Sequence, residues 1–501
     1  TNDWGGIETW QGGPFYLYSN VSANPNGYWN WHAGREYGAR LGYALYHDGG
    51  HKNYDFNNIL WGISNDPDSK LCHPAAINEA TPTLHNSYIN NTIYRFSKGS
   101  DWSPSGGHHR FLGNIWSDIS HMVFRHGRLK EDTAAQHGDP YPYELMAYGH
   151  NVFYDIGDMF GVFEVTGKGY ETFDAFKQAL QRQQTLDAGL GVKAGQQPLR
   201  DPANRDMRPV PGSAAIDNGV KFFVPWGLAR MVGEWNFYHV GGDATLIPDE
   251  HWYMRDYYRG RTSYRNMPQY PLKVVNVTEA NYVQGDLEDW IDGALKLNGR
   301  DQYAFVSQEH LNTQPPGADE PVELQTVDVQ GTSFILEAYF KTEPGADRAV
   351  LIQKMGPQAG YALTVDGTVT LTARAGGRDR SVTGKVRVND GDWHHVLAEA
   401  DRESGRITIY VDGNVDAIAA GPGQDSLSNS ADFYVGGTPD GNCLAGTLDF
   451  ARVSLGSLAE AKTTIEELYT WQFEGPFLRD FVGNPPNGAG RDAGALEAAS
   501  R

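Results

Sequence analysis

YDFNNILWGI, Tyr54 to Ile63, is the stretch that decides how this chain folds, because variants of it return further along. INNTIYRF (Ile89 to Phe96), LGNIWSDI (Leu112 to Ile119) and GHNVFYDI (Gly149 to Ile156) each set an asparagine before a short apolar run, and YSNVS (Tyr18 to Ser22) reads as a worn earlier copy. Asn20, Asn58, Asn91, Asn114 and Asn151 are therefore predicted to share one structural position at uneven intervals, as in a solenoid whose coils keep their size while their loops vary. A repeat with one strand-length apolar run cannot close a core alone. It has to stack on its neighbours at about 4.8 Å, like residue over like. An inward asparagine is costly in a dry core unless its amide pairs with that of the next coil, which stacking supplies.

A chain of 501 residues is too long for one compact core and predicts two or three domains. The net charge of -21 is unevenly placed: residues 1–270 carry 28 acidic and 23 basic side chains, residues 271–501 carry 34 and 18. That balance argues against nucleic acid, whose phosphates require clustered Lys and Arg. No apolar run approaches the roughly 18 residues of a membrane span. Cys72 and Cys443 lie too far apart to predict a disulfide framework. The opening WGGIETWQGGPFYLYSNVS reads as strand rather than cap, so the expectation is a covered solenoid end, by an upstream segment or by self-association.

Residues 1–165 read as strands separated by two aromatic-rich excursions, 29–53 and 97–148. TFDAFKQALQRQQ (Thr172 to Gln184) has helical spacing, with Phe173, Phe176, Ala179 and Leu180 on one face. From about Val274 the texture changes to alternating strands with tight Gly and Asp turns: SFILEAYFKT, GYALTVDGTVTLTAR, WHHVLAEAD and GRITIYVDGNVDA. That is the pattern of an antiparallel sandwich.

FILEAYFKT, DGDWHHVLAEAD, ITIYVDGN and GTLDFARVSLGSL resemble a laminin G-like, concanavalin A-like jelly roll. The asparagine-led strands resemble secreted right-handed parallel β-helix proteins of the pectate lyase-like class. VPGSAAIDNGV (Val210 to Val220) and RDFVGNPPNGAGRDAGALE (Arg479 to Glu497) look like segments that close such β-helices, with Ala214 and Ala493 as departures. The resemblance implies an all-β protein: a right-handed parallel β-helix with an irregular connector at 1–273, a jelly-roll β-sandwich at 274–470, and a tail at 471–501 returning to the β-helix. It also implies a secreted or cell-surface bacterial protein, and a structural calcium with Asp449 as one ligand.

A β-helix offers loops that wall a cleft in which a polysaccharide can lie. LYHDGGHKN gathers His47, Asp48, His51 and Lys52, the ingredients for proton transfer, and reads as a glycine-rich loop tip. Glu8, Arg35 and Glu36 join His47, Asp48 and His51 as candidate catalytic groups. Lys52, Trp31, Tyr46, His108, His109 and Arg110 are candidate sugar-binding groups, rings for stacking and cations for carboxylates. A glycoside hydrolase needs two carboxyls across the scissile bond; a lyase needs a neutralised uronate and a base. The hydrolase is favoured because this half of the chain is not basic and has no Asp-rich calcium bridge. His108, His109, His121, His126 and His137 match no zinc spacing. The rival expectation is a non-catalytic adhesion or matrix protein.

Overall fold

The computed structural model describes residues 5–10, 13–25, 42–62, 74–101, 109–126, 146–163, 168–181, 189–228, 230–237, 272–311 and 326–499. Strand makes up 48% and helix 8%, so the all-β expectation holds. The described residues fall into two compact units, one taking residues up to Val224 and from Gly475 onward, the other residues 225–474.

In the first unit the strands form three parallel ladders that the chain visits in rotation. The first contains Gly5–Trp10, Tyr43–His51 and Ala75–Leu84, then the later halves of Thr92–Asp101 and Ile115–His126, and Met159–Phe163. The second contains Tyr16–Tyr18, Tyr54–Phe56, Ser87–Ile89, Arg110–Leu112 and Ala147–Gly149. Val21–Ala23, Ile59–Trp61, the earlier halves of the two long strands, Asn151–Ile156 and Gly191–Lys193 form the third.

The asparagines stand at the corner between the second and third ladders. The Asn20 amide donates to Asn58 Oδ1 at 3.1 Å, Asn58 to Asn91 at 3.0 Å, Asn91 to Asn114 at 3.0 Å and Asn114 to Asn151 at 3.1 Å. Each middle member also donates to a backbone carbonyl: Asn58 to Leu17, Asn91 to Asp55 and Asn114 to Tyr88. The residue before each asparagine turns the corner with positive φ: Ser19, Asn57, Asn90, Gly113 and His150 at 50°, 56°, 48°, 64° and 57°. Asn and Gly tolerate that conformation best, which explains why the repeats read NN and GN.

The interior follows from register. Tyr88, Phe111 and Tyr148 lie in line on the second ladder and stack at 4.9 and 5.4 Å between centroids, packed against Trp116 and Phe124. Such ring pairs contribute about 0.5–1.5 kcal/mol each beyond area burial. The helix Phe173–Gln181 adds Phe176, Ala179 and Leu180 to the same core.

The outer sides of the second and third ladders are covered by distant chain. Phe222 meets Tyr54, and Phe477 meets Phe56 edge-on. Ile59, Ile115 and Val152 pack with Leu199, Met207, Ala215, Ala493 and Ala495. Residues 215–219 and 490–493 are stitched together: Ala493 N–H donates to Ala215 O at 2.8 Å, Gly219 N–H to Arg491 O at 2.7 Å and Asp217 N–H to Asp492 Oδ1 at 2.9 Å. Arg491, 4% exposed, donates from Nη2 to Asn57 Oδ1 at 2.7 Å.

The second unit packs an eight-stranded sheet on a seven-stranded one, with antiparallel pairings throughout. Between them lies an apolar core including Leu336, Phe340, Leu351, Leu363, Ile409, Phe433 and Val453. The strand Arg230–Asn236 joins the eight-stranded sheet beside Ala445–Leu455. On that sheet Glu337 sits with Arg452, His395 and Gln472. Arg452 Nη2 is 2.5 Å from Glu337 Oε2, His395 Nε2 is 2.7 Å from Oε1, and the Gln472 amide donates to Oε1 at 2.8 Å. Burial alone would raise the Glu337 pKa, but Arg452 and His395 bring it down to about 2. Gln472 comes from the helix Ile465–Glu474, which roofs the cluster with Tyr469 and Phe473 against His395.

Candidate functional site

The segment expected to be a loop tip at His47–His51 is instead the end of the strand Tyr43–His51, and Lys52 is the buried, positive-φ corner (53°) that follows. Strand alternation therefore sends Leu45 and His47 inward and Tyr46 and Asp48 outward, so the adjacent candidates His47 and Asp48 occupy opposite faces. Gly49 and Gly50 supply positive φ within the strand rather than a turn. The second excursion is likewise partly strand, since Thr92–Asp101, Arg110–Leu112 and Ile115–His126 run through it. Arg35, Glu36, Trp31 and His108 lie outside the described residues, and His51 is placed only as the last residue of its strand.

The inward face gathers a buried polar cluster. His47 Nε2 is 2.8 Å from Asp55 Oδ2, and its Nδ1 is 2.6 Å from Thr9 Oγ1. Glu79, in register with His47, accepts on Oε1 from Tyr88 OH at 2.6 Å and from the Asn86 amide at 2.9 Å, with His109 Nε2 at 3.0 Å. Thr83 Oγ1 lies 3.0 Å from His109 Nε2. Burial opposes ionisation of Glu79, yet His109 and the hydroxyls of Tyr88 and Thr83 hold its carboxyl well below the usual range. Burial pushes Asp55 up, outweighing its attraction to His47. For His47 burial acts downward, but Asp55 and then Glu79 overcome it, so the imidazole binds its proton more tightly than usual.

Two carboxyls driven apart in pKa with histidines at hand is a combination found in acid–base catalysis. Here His47, Asp55, Glu79 and His109 are each 0% exposed, which closes the cluster to a polymer. Its evident work is to satisfy the corner between the first and second ladders. Asn53 and Asn86 sit at that corner, with Asn53 N–H donating to Asn86 Oδ1 at 3.1 Å and Phe15 N–H to Asn53 Oδ1 at 3.2 Å. This second asparagine position was missed from sequence, although KNYDF and HNSYI repeat it. Arg110, expected on a cleft wall, is mostly buried, with its guanidinium 5.7 Å from the Phe222 ring centroid.

The outward face of the first ladder is different. Glu8, Tyr46, Asn78 and Asp101 are in register on four adjacent strands. Asp101 is held by Lys98 at 2.7 Å and by Arg125 from the next strand at 2.9 Å. One row away Trp10 pairs in register with Asp48, and Asp48 with Thr81. Glu8 is exposed, Asp48 half-buried and Trp10 66% exposed, so this edge meets solvent, whereas Tyr46, Asn78 and Asp101 are each 2% exposed. Asn78, 2% exposed, leaves Oδ1 without a hydrogen-bond partner. Of the candidates from sequence, the structure brings Glu8, Tyr46 and Asp48 together here.

Asp449 carries the calcium expectation. Its Oδ2 accepts from the backbone N–H of Asp286 at 2.7 Å and of Leu287 at 2.9 Å. Calcium is held by oxygen ligands, and this carboxyl oxygen already accepts from two N–H donors. Among the described residues no group of three or more His, Cys, Asp or Glu could hold a metal, and no helix is long and apolar enough to cross a membrane.

Three solved structures are similar to part of this chain. The CBM40 of the Ruminococcus gnavus IT-sialidase shares 15% identity over 36% of this chain and 96% of its own, with a TM-score of 0.27. The binding domain of Botulinum Neurotoxin DC, solved in complex with SialylT, shares 10% over 43% and 50%, TM-score 0.30. The binding domain of Paraclostridial Mosquitocidal Protein 1 shares 12% over 40% and 54%, TM-score 0.27. Within the second unit, whose jelly-roll-like sandwich is described above, residues 316–462 match the laminin G type 3 family model of the concanavalin A-like lectin/glucanases superfamily.

Proposed function

We propose that this chain handles a polysaccharide outside the cell, and that the sugar chain lies along the outward face of the first ladder. In this reading the first unit is a right-handed parallel β-helix whose ladders are the faces of one coil, and the lectin-like second unit is a glycan-binding module. The observation that carries it is the solvent-facing edge of that face, where Glu8, Trp10 and Asp48 stand on the neighbouring strands Gly5–Trp10 and Tyr43–His51. The indole of Trp10, 66% exposed, offers a face for a sugar ring.

Cleavage by hydrolysis is the finer part of the proposal. Glu8 and Asp48 stand on neighbouring strands, two positions apart in register, which separates their Cα atoms by about 8 Å from strand spacing and rise. That separation leaves room for a water between the carboxyls, as inversion requires. Asp48, the less exposed, protonates the leaving glycosidic oxygen while Glu8 takes a proton from the water that attacks the anomeric carbon. A lyase is less well served, because the cations Lys98 and Arg125 on this face are already bridged to Asp101.

The test is release of new reducing ends from a panel of neutral and acidic polysaccharides. Asp48→Asn and Glu8→Gln are each expected to lower release at least a hundredfold with the melting temperature unchanged. A variant with full activity removes its carboxylate from the site. Release carried by unsaturated uronide products would mark a lyase instead, and binding without release would leave an adhesive glycan-binding protein.

A further inference from the structure

The seven-stranded sheet of the second unit turns one face to the core and one away from it. On the outward face a single row runs in register through Phe305, Tyr434, Gln353, Ala362, Thr372 and Ser381. Their strand neighbours Ala304, Val306, Phe433, Val435, Ile352, Leu363, Leu371 and Val382 are all buried in the core cluster, which fixes the direction of the row. Ala362 is buried; the other five are partly or fully exposed.

Chemistry changes along the row. At one end Phe305 and Tyr434 form a three-ring platform with Tyr303, with centroids 5.9 to 6.3 Å apart. In the middle the Gln353 amide is followed by the small Ala362, which leaves a shallow step. At the far end Thr372 Oγ1 lies 2.9 Å from Ser381 Oγ, and the parallel pair Thr370 and Thr383 lies at 3.0 Å. No charged side chain interrupts the row between Phe305 and Ser381. Arg374 beside it is pinned by Asp379 at 2.6 and 2.9 Å.

We infer that this outward face binds an uncharged oligosaccharide. A sugar presents C–H faces that suit aromatic rings and hydroxyls that suit amides and hydroxyls, so it matches both ends of the row at once. A protein partner would call for a larger continuous apolar core than three rings provide. A chain of net charge -21 also disfavours acidic glycans. The inference rests on the reading that this chain handles glycans, but places a second site on it, with its own ligand class.

The full-length protein carrying Asp48→Asn, so that cleavage cannot intervene, is titrated calorimetrically with cello-, manno-, xylo- and galacto-oligosaccharides, and with sialyllactose and oligogalacturonate. Saturable binding of at least one neutral oligosaccharide is expected. Tyr434→Ala should weaken it tenfold or more and Gln353→Ala several-fold, with unchanged melting temperature, while Tyr434→Phe retains most of it. Binding of acidic glycans alone, no binding of any neutral probe, or neutral binding that survives both Tyr434→Ala and Gln353→Ala overturns the inference. The last outcome would still leave the chain a glycan handler, and the failure of that broader reading is seen separately in the polysaccharide panel.

Discussion

In the first unit His47, Asp55, Glu79, His109 and the asparagines lie in the interior or at its corners, whereas the space between the two sheets of the second unit is lined by apolar side chains. Among the second unit's buried polar groups, Glu337, His395 and Arg452 lie on the outer side of a sheet beneath a helix. The difference follows from strand direction. Parallel strands in register place like residues over like, so an inward polar group finds a partner in its own copy one strand away. Two antiparallel sheets face each other with unrelated side chains, and no such partner is guaranteed, so the core between them has to be dry.

The largest test of this contrast is Glu337→Gln, which takes the nearest carboxylate from the Arg452 guanidinium, 1% exposed, and leaves it Glu234 at 3.5 Å and the Trp226 carbonyl. A loss of about 3–5 kcal/mol is expected from breaking a buried pair, read by denaturant unfolding as a shift confined to the second unit. A change under about 1 kcal/mol would show the network to be dispensable. Asn91→Ala should cost somewhat less, about 2–3 kcal/mol, since it leaves the Asn58 amide and the Asp55 carbonyl short of a partner. Were Asn91→Ala to behave like a surface substitution, the repetition of asparagine would not be what holds that corner.

The smallest effect concerns pH. His394 is held between Asp412 at 2.8 Å and Asp390 at 3.1 Å, and the hydrogen bond it donates to Asp412, opposed by burial and aided by Asp390, raises its pKa. A raised imidazole contributes stability that is fully present below its ordinary value of about 6.5 and is lost as pH rises through the higher folded value. Both carboxylates are well exposed, so the contribution is about 1 kcal/mol or less. Second-unit stability should therefore decline across neutral pH in the wild type, and His394→Gln should remove that part of the slope. An unchanged slope in the variant would assign it to another group.

The asparagine positions were legible because each carries the same local demand, a positive-φ corner followed by an amide that must pair. The sandwich strands were legible from alternation. His47 and Asp48 were misplaced because HDGGH has the composition of a turn, and composition does not reveal that a stacked interior accepts an imidazole. Asp55 lay inside the first stretch quoted and drew no reading there, although its register with Leu17 and Tyr88 turns it inward. What sequence could not supply was which strands adjoin, and with it the pairing of Glu79 with His109 and the row joining Glu8 to Asp101.

The stitching of residues 490–493 onto residues 215–219 bears on how the protein comes off the ribosome. Ile59, Ile115 and Val152 are made long before Ala493 and Ala495, which help to cover them. During synthesis that apolar strip stays partly bare while the intervening residues emerge. Such late, long-range closure slows folding and exposes the nascent chain to aggregation. Removal of residues 490–499 should therefore be felt chiefly as a failure of the strands made long before them.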